Sequence, residues 1–365
     1  MYQKVMKPIF FRMDPETAHH ITIGGLSVAG KVPGATGVLQ AMYGTGRRPE
    51  LETELWGVRF PNPIGLAAGL DKDGQAIKAF SAIGFGFIEV GTVTPKPQPG
   101  NELPRLYRLP ADQALINRMG FNNKGIDYLA ERLKEARTRK IPVVANIGKN
   151  KATPNEDAIE DYLACIRTLY PYSDVFAVNI SSPNTPDLRK LQHGDELKRL
   201  LDAVTQEMDV LKKKYNKELP ILVKIAPDLE QDELERIVST IHSSRVSGII
   251  ATNTTLKRDG LTHPNAVQTG GLSGKPLKAR AIEVIRSIYK MTEGKLPIVG
   301  SGGIFTAEDA YEMIRAGASL VEIYTSLIFK GPGVNREIAK GLSELLKRDG
   351  FRHISEAVGT DAASS

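Results

Sequence analysis

The segment Asp174-Val-Phe-Ala-Val-Asn179-Ile-Ser-Ser182-Pro-Asn-Thr185 contains both the strongest fold signal and the strongest functional signal in the chain. Its first half, up to Val178, is rich in Val and Phe, which is typical of a strand buried in a parallel sheet. Its second half carries two Asn side chains, two Ser hydroxyls and a Pro that restricts the backbone. A simple Ser/Asn/Pro turn at a strand end has the same composition, so a purely structural interpretation stays open at this point.

Two further apolar segments carry one polar residue near their ends. Lys224 lies in Pro220-Ile-Leu-Val-Lys-Ile-Ala-Pro227, and Asn146 lies in Pro142-Val-Val-Ala-Asn-Ile-Gly148. Polar residues at the carboxyl ends of buried strands are typical of barrel enzymes, whose active sites lie there. A lysine inside such a strand suggests function, although a carboxylate partner elsewhere in the chain would also explain it.

Composition limits the functional classes. The 365 residues are 41% hydrophobic and 25% charged, which predicts a globular chain with a substantial core. The net charge of +6 is scattered along the sequence, so it favours an anionic ligand or an anionic membrane surface over nucleic acid. The one cysteine, Cys165, excludes an internal disulfide, and without Cys/His clusters we expect no metal.

Membrane contact, if any, is expected to be peripheral. No segment reaches the roughly 20 consecutive apolar residues of a membrane span. Residues 1–45 nevertheless differ from the rest and predict a hairpin of two short amphipathic helices, the second beginning at Asp14-Pro15. This hairpin either packs on the main domain only, or meets a lipid surface and forms the mouth for an apolar ligand. We place the domain boundary after residue 45, so that residues 46–365 form the second domain.

From Leu51 onward, strand and helix patterns alternate, after two short strand-like pieces that end at Pro63. The strands are predicted at Ile64–Ala68, Phe87–Thr92, Val143–Gly148, Val175–Ser181, Ile221–Ala226, Gly248–Thr254, Ile298–Gly303 and Leu320–Thr325. Eight strands with intervening helices over about 250 to 300 residues indicate an α/β fold of the (β/α)8 TIM-barrel type. A doubly wound sheet is the alternative. The small, polar tail from Ala357 to Ser365 is expected to be disordered.

A barrel brings all its strand ends to one face, so the residues at these ends can be considered together. The first strand is followed by small residues and then the cation Lys72. The long segment after the second strand contains Asn117–Asn123, a candidate lid. Three glycine-rich or hydroxyl-bearing turns at 270–274, 300–304 and 324–326 offer backbone N–H groups for a phosphate-bearing cofactor.

Five motifs in order resemble the dihydroorotate dehydrogenases, and specifically their membrane-associated, quinone-reducing class 2. They are Ala-Ala-Gly-Leu-Asp-Lys at 67–72, Asn-Arg-Met-Gly-Phe-Asn-Asn at 117–123, Asn-Ile-Ser-Ser-Pro-Asn-Thr at 179–185, Val-Lys-Ile-Ala-Pro at 223–227 and Gly-Gly-Leu-Ser-Gly at 270–274. The resemblance covers nearly the whole chain, including the N-terminal extension. It implies oxidation of dihydroorotate to orotate in pyrimidine biosynthesis, with FMN as cofactor.

The resemblance also implies roles for individual residues at the substrate. Ser182 would be the base that takes the proton from carbon 5, while a hydride leaves carbon 6 for the flavin. Lys72 would meet the substrate carboxylate, and neutral Asn side chains would bond the ring amides. The implied substrate-binding residues are Lys72, Asn117, Arg118, Met119, Gly120, Phe121, Asn179, Asn184, Asn253 and Thr254.

The FMN site and the quinone tunnel follow from the same resemblance. Lys224 would lie at the pyrimidine edge of the flavin and stabilise the negative charge of the reduced form. The implied FMN-binding residues are Ala68, Gly69, Leu70, Asp71, Lys72, Thr92, Asn146, Asn179, Lys224, Thr252, Gly274, Gly303, Tyr324 and Thr325. The quinone tunnel would be lined by His19, Arg108 and Tyr324, although spacing cannot choose between His19 and its neighbour His20.

The class assignment rests on two departures from the soluble class 1 pattern. That class has Cys where this chain has Ser182, and it lacks an extension like residues 1–45. We therefore expect a peripheral protein on the cytoplasmic side of the cell membrane.

Three alternatives stay open from the sequence. A phosphate-binding aldolase or isomerase barrel would share the glycine turns without a flavin. A class 1 enzyme would keep the flavin and ignore quinone. A non-enzymatic protein of the membrane surface would have the hairpin without the polar strand ends.

Overall fold

The computed structural model describes residues 2–362 and contains thirteen strands. They are β1 (Thr53–Leu55), β2 (Val58–Phe60), β3 (Ile64–Leu66), β4 (Phe87–Val93), β5 (Leu106–Leu109), β6 (Ala114–Asn117), β7 (Val143–Ile147), β8 (Val175–Asn179), β9 (Ile221–Ile225), β10 (Gly248–Ala251), β11 (Gly271–Gly274), β12 (Ile298–Ser301) and β13 (Ala318–Ile323). Eight of them, in the order β3, β4, β7, β8, β9, β10, β12 and β13, form a closed parallel barrel. The predicted (β/α)8 fold is confirmed.

Helices surround this barrel and precede it. They are α1 (Lys7–Arg12), α2 (Pro15–Ala29), α3 (Ala35–Tyr43), α4 (Ile77–Ala82), α5 (Ile126–Glu135), α6 (Ala158–Leu169), α7 (Gly194–Tyr215), α8 (Gln231–Ser243), α9 (Lys278–Met291), α10 (Ala307–Arg315), α11 (Thr325–Lys330), α12 (Val334–Asp349) and α13 (Ile354–Ala357). Sequence signals begin several of them. In α10, for example, Thr306 and Asp309 form a reciprocal capping box, which satisfies two free N–H groups of the first turn.

The lower half of the barrel interior is apolar. Inward-facing side chains of several barrel strands, together with Phe60 of β2, form a separate cluster, which comprises Phe60, Phe87, Val144, Val175, Ala177, Leu222, Ile250, Val299 and Leu320. Gly65 of β3 leaves room for the largest of these, because a Cβ there would lie 2.2 Å from the Phe87 ring. Ligands are therefore excluded from the lower half, and only the carboxyl ends of the strands are available for a site.

Seven of the eight predicted barrel strands extend too far at their carboxyl ends, whereas β4 ends at Val93, one residue later than predicted. The strand predicted to end at Thr254 ends at Ala251, and the one predicted to end at Gly303 ends at Ser301. Beyond these points backbone bonds still reach neighbouring strands, as from Thr252 N to Ser301 O at 2.8 Å. The chain then turns so that its polar side chains face the barrel mouth instead of alternating between two faces.

Two segments expected to be irregular form a small sheet beside the mouth. Strands β5, β6 and β11 pair antiparallel, with Gly271 opposite Asn117. The predicted glycine turn at 270–274 is therefore largely a strand, and the candidate lid begins at the end of β6. Glycine is required because a Cβ on Gly271 would lie 2.0 Å from Thr254 Oγ1.

The N-terminal segment contains a third helix, α3, that the sequence analysis did not predict. Helix α2 begins as expected, since the Asp14 side chain accepts a 2.8 Å bond from Thr17 N and Pro15 follows. Within residues 2–362, the helices are all too short or too polar to cross a membrane.

The C-terminal tail is more ordered than expected up to residue 362. It contains α13, and both Ala357 and Ala362 are buried. The Arg315 guanidinium binds Asp361, with Nη2 at 2.5 Å from Oδ1. The remainder of the predicted disordered segment, residues 363–365, lies outside the described residues.

Candidate active site

A polar cavity of about 150 Å³ opens at the carboxyl ends of the barrel strands. It brings together most of the residues that the sequence motifs selected, although they are scattered over more than 250 positions. The predicted residues in its wall are Ala68, Gly69, Lys72, Thr92, Asn117, Met119, Gly120, Phe121, Asn179, Ser182, Asn184, Lys224, Thr252, Asn253, Thr254, Gly274, Gly303, Tyr324 and Thr325.

Amide and hydroxyl side chains of the cavity hold each other in fixed orientations. Asn179 Nδ2 donates to Thr92 Oγ1 at 2.8 Å, and Thr92 Oγ1 in turn donates to Asn146 Oδ1 at 2.5 Å. On the other side, Asn253 Nδ2 donates to Asn179 Oδ1 at 3.3 Å. Because each amide is oriented by a neighbour, the site can present defined donors and acceptors to an uncharged planar ligand.

Ser182 lies in the cavity wall, and only 6% of it is exposed. Its Oγ accepts a 3.3 Å bond from Asn184 N, so the turn that follows β8 fixes the position of the hydroxyl. Asn184 is itself fixed, because its Nδ2 donates to Asn117 Oδ1 at 3.1 Å. The Ser182 turn and the Asn117 segment therefore meet across the mouth of the cavity.

A buried charge cluster lies in the inner wall of the cavity. Lys224 Nζ is 2.6 Å from Glu89 Oε2 and 3.5 Å from Glu322 Oε2, and all three side chains are almost fully buried. Glu89 also accepts hydrogen bonds from Asn146 Nδ2 at 2.6 Å and from Ala68 N at 2.8 Å, so protein donors compensate for the burial of its carboxylate. These are the carboxylate partners of Lys224 that the sequence had left open.

The cluster has a defined pattern of protonation. Burial lowers the pKa of Lys224, but Glu89 and Glu322 outweigh this effect and raise the pKa above its usual value. Burial, followed by the neighbouring Glu89, raises the pKa of Glu322 well above its ordinary range, and Lys224 opposes this only in part. Among residues 2–362, no group hydrogen-bonds to either Glu322 oxygen at close range, and Lys224 Nζ lies 3.5 Å from Oε2. These effects favour the protonated form of Glu322 and the charged form of Lys224, for which Glu89 is then the main counter-charge.

Neither glutamate was predicted from the sequence, although a signal was present. Glu89 lies within Phe87-Ile-Glu89-Val and Glu322 within Leu320-Val-Glu322-Ile, each a single charged residue in an apolar strand. This is the same pattern that selected Lys224. Only the strand order of the barrel shows that these two carboxyl groups lie next to Lys224.

Lys72 provides a cation at the rim. Burial lowers the pKa of Lys72 to about 8, while Glu16 and Asp73 oppose the shift. The preceding residue, Asp71, faces away from the cavity and accepts bonds from Gln75 N and Ala76 N at 2.7 and 2.8 Å. It therefore anchors the segment that carries Lys72.

Not every predicted residue lines the polar cavity. In the described chain, Asp71, Arg118 and Asn146 lie outside its wall, and Leu70 lines a different cavity. Arg118 stacks on Tyr107, with its guanidinium carbon 4.8 Å from the ring centre, and also bonds Gln268. Asn146 lies behind the residues that line the cavity, where it accepts a hydrogen bond from Thr92 and donates one to Glu89.

A second cavity, of about 470 Å³ and almost entirely apolar, lies between the N-terminal helices and the barrel. Its wall includes Phe10, Phe11, Pro15, Ala18, His19, Ile21, Thr22, Ile23, Gly25, Leu26, Leu70, Phe80, Ile83, Leu106, Arg108, Leu115, Tyr324, Leu327 and Ile328. All three predicted tunnel residues, His19, Arg108 and Tyr324, lie in this wall. Tyr324 also lines the polar cavity, so one side chain separates the two spaces.

The polar groups of the apolar cavity are few and fixed. Arg108 Nη1 donates to Met13 O at 2.8 Å, and its guanidinium carbon lies 5.0 Å from the Phe11 ring centre. Burial, then the charges of Lys72 and His20, lower the pKa of His19 well below its usual value, so this imidazole is neutral. His20 is exposed and its Nε2 lies 3.7 Å from Glu16 Oε1. The structure thus separates the two histidines that spacing could not.

A polar cavity at the strand ends of a (β/α)8 barrel is the active-site arrangement of a barrel enzyme, here with a second, apolar cavity behind one tyrosine. The comparisons with known proteins agree with this class. The family profile described as "Dihydroorotate dehydrogenase" matches residues 50–346. The chain therefore belongs to the dihydroorotate dehydrogenase family.

Curated relatives and solved structures extend the match over nearly the whole chain. The "Dihydroorotate dehydrogenase (quinone)" of Deinococcus deserti is 51% identical over 363 residues, which is 99% of this chain and 100% of that protein. The protein of the same name from Deinococcus radiodurans is 51% identical over 98% of this chain and 100% of its own length. A crystal structure of DHODH from Eimeria tenella with ferulenol has a TM-score of 0.89 and 40% identity, and covers 95% of this chain and 96% of that chain.

Proposed function

We propose that this chain oxidises dihydroorotate to orotate in pyrimidine biosynthesis and passes the electrons to a quinone. The observation that carries the proposal is the pair of unlike cavities with Tyr324 as their common wall. A polar ring substrate suits the first cavity and an apolar acceptor suits the second. The name shared by the curated relatives supports the same reaction.

FMN is the proposed cofactor, and the residues of the polar cavity fit it. Lys224 offers a buried cation, Thr92 and Asn179 offer oriented polar groups, and glycines permit close approach of backbone at the rim. Gly274 is one such position, because it lines the cavity and has no side chain that would occupy the space. When bound, FMN supplies the hydride acceptor, and Lys224 favours the negative charge of its reduced form.

The substrate is proposed to bind through one cation and several neutral amides. Lys72 would hold the carboxylate of dihydroorotate, and Asn117, Asn179, Asn184 and Asn253 would bond the ring amides. Ser182 is the proposed base for the proton on carbon 5. Its hydroxyl is held by Asn184 N, which orients an oxygen lone pair before the substrate arrives.

Quinone access and membrane contact are proposed for the N-terminal helices. The N-terminal segment carries exposed apolar side chains, namely Val5, Met6, Ile9, Ile21, Val28, Val32, Val38 and Met42, of which Met6 and Ile21 also lie at the apolar cavity. The cations Lys4 and Arg12 are exposed on the same segment and suit anionic lipid headgroups. We infer peripheral association with the cytoplasmic face of the cell membrane, with Arg108, His19 and Tyr324 along the quinone path.

Anaerobic stopped-flow absorbance tests the proposal directly. The purified holoprotein is mixed with dihydroorotate and then with a short-chain quinone. We expect the flavin absorbance to bleach in the first mix and to recover in the second. Bleaching without recovery would reject the quinone as acceptor, and a protein purified without flavin would reject FMN.

A further inference from the structure

Asn101, in the connection between β4 and β5, joins two segments that surround the polar cavity. Its Nδ2 donates to Arg118 O and to Asn184 O, both at 3.0 Å. Its backbone N donates to Met119 O, also at 3.0 Å. One residue therefore bonds three carbonyl groups on the segments that carry Asn117, Phe121 and the Ser182 turn.

The contact around Asn101 is close as well as polar. Gly120 lies against this side chain, and a Cβ there would be 2.6 Å from Asn101 Cγ. The φ angle of Gly120 is +72°, a conformation that residues with a side chain rarely adopt. The Asn101 amide thus fills a space that Gly120 leaves open, because a side chain at position 120 would collide with it.

Arg105 connects Asn101 to helix α2. The Arg105 Nη1 donates to Asn101 O at 2.8 Å, and its Nε and Nη2 donate to the Glu16 carboxylate at 3.0 and 2.7 Å. The side chains of Arg105 and Glu16 are only 10% and 9% exposed. A two-point guanidinium–carboxylate pair with this burial fixes orientation as well as distance.

Glu16 belongs to the helix that contributes Ala18 and His19 to the apolar cavity. A continuous chain of hydrogen bonds therefore runs from α2 through Arg105 and Asn101 to the mouth of the polar cavity. It does not pass through Tyr324, which lines both cavities. It ends at the segments that carry the proposed substrate-binding residues.

We propose that Asn101 is a positioning residue for dihydroorotate, and that the Glu16–Arg105 pair makes substrate binding depend on how α2 packs against the barrel. The proposal rests on the proposed function. Asn101 holds the Arg118 and Asn184 carbonyls at a fixed separation, so the Asn117 and Asn184 side chains face the substrate together. Loss of the Glu16 charge leaves Arg105 held by Pro99 O and Asn101 O alone, so the guanidinium no longer ties Asn101 to α2.

The first test compares Asn101→Ala and Asn101→Asp with the wild type in anaerobic stopped flow. The dependence of flavin reduction on dihydroorotate concentration gives an apparent Kd and a limiting rate. Loss of the two hydrogen bonds from the half-buried Asn101 amide is expected to raise this Kd about tenfold, which corresponds to roughly 1.4 kcal/mol. Asn101→Asp is expected to raise it at least as much, because a carboxylate would face two carbonyl oxygens. Reoxidation by a short-chain quinone should stay within about twofold of wild type.

Lys151→Met is the matched control for this test. It removes only the bond from Lys151 Nζ to Asn101 Oδ1, at 2.9 Å on the exposed side, and the Kd should stay within about twofold. A wild type that dihydroorotate does not reduce would contradict the proposed function itself. A reducible wild type with an unchanged Kd in both Asn101 variants would overturn the positioning role.

The second test separates the ion pair from a general loosening of α2. Glu16→Gln removes the charged partner of Arg105, whereas Asp14→Ala removes the N-cap of the same helix, which accepts bonds from Thr17 N and Thr17 Oγ1. Because burial lowers the pKa of Lys72 and Glu16 opposes this shift, binding is measured at about pH 6, where Lys72 stays charged in both variants. We expect Glu16→Gln to raise the dihydroorotate Kd several-fold there and Asp14→Ala to affect only reoxidation by quinone. Equal effects of the two variants on dihydroorotate binding would overturn the role of the pair.

Discussion

The polar and the apolar cavity share a wall at Tyr324 but are built by opposite means. In the polar cavity, side chains from six or more strand ends bond one another, as Asn179, Thr92 and Asn146 do. In the apolar cavity, the lining side chains of helices α1 and α2 mainly make apolar contacts with the barrel, and Arg108 is one of few fixed polar groups of the described wall. The first site is rigid before a ligand binds, whereas the second depends on how the helices are seated.

This difference sets what each cavity can do chemically. Oriented amides and a buried cation lose little freedom when a polar ring binds, so they can favour one geometry of the reacting atoms. An apolar space gains mainly from burying hydrocarbon, which tolerates ligands of several shapes. We therefore expect single substitutions in the polar cavity to have large, specific effects, and substitutions in the apolar cavity to have smaller ones that are limited to quinone.

The largest expected effect is that of Ser182→Ala on the polar side. Loss of a positioned base typically costs about 10² to 10⁴ in rate, so flavin reduction by dihydroorotate should slow by that factor. FMN content and reoxidation by quinone should be unchanged. Ser181→Ala is the matched control, because its Oγ accepts from Asn253 Nδ2 at 3.0 Å and its loss should alter affinity more than the limiting rate. Equal limiting rates in Ser182→Ala and wild type would remove the base assignment.

Lys224→Met tests whether the charge cluster stabilises the barrel. It leaves the Glu89 carboxylate buried without its cation, and breaking a buried pair in this way costs about 3–5 kcal/mol of folding stability. We expect a lower midpoint in urea unfolding and loss of FMN on purification. Glu322→Gln is the control and should stay close to the wild-type midpoint, because burial raises the pKa of Glu322 and favours its neutral form. A marked loss of stability in Glu322→Gln would show that Glu322 is ionised.

The sequence predicted the polar cavity far better than the apolar one, for a physical reason. In a parallel barrel each strand end points to the same face, so Asn146, Ser182 and Lys224 could be brought together without knowing any distance. The family resemblance added the roles. The partners of Lys224 were missed because pairing across the barrel interior depends on strand order and register, which a single polar residue does not encode.

The apolar cavity illustrates the opposite case. Helical periodicity predicted two N-terminal helices but neither α3 nor the way they pack on Leu70, Phe80 and Ile83. Apolar contacts have no direction, so spacing alone does not specify the partner surface. The same limit applied to His19 and His20, which occupy adjacent positions on one helix. Only the packing of α2 shows that His19 lines the cavity and that His20 is exposed.

Ala18→Phe tests the apolar cavity alone. Ala18 is buried in its wall, and a phenyl ring there would occupy part of the space proposed for quinone. The ring and quinone would compete for this space, and if the clash costs as much as overpacking in a core, about 1–3 kcal/mol, the KM for quinone should rise between several-fold and about a hundredfold. Flavin reduction by dihydroorotate should change far less, because the Glu16–Arg105 pair still holds α2 to the Asn101 segment. If reduction slowed as much as reoxidation, the ring would have displaced α2 instead of filling the proposed quinone space.

The smallest expected effect is a pH dependence that arises from Lys72 at the rim of the polar cavity. Burial lowers the pKa of Lys72 to about 8, so the ammonium is present below that pH and is lost as the pH rises through it. In the free enzyme kcat/KM for dihydroorotate should therefore fall by about tenfold for each pH unit above this pKa. In the complex the substrate carboxylate favours the charged lysine, so kcat should fall only at higher pH. The KM for quinone should show no such transition, because Lys72 lines only the polar cavity. A kcat/KM for dihydroorotate that stayed constant from about pH 7 to about pH 9 would contradict the assignment of Lys72 to the substrate carboxylate.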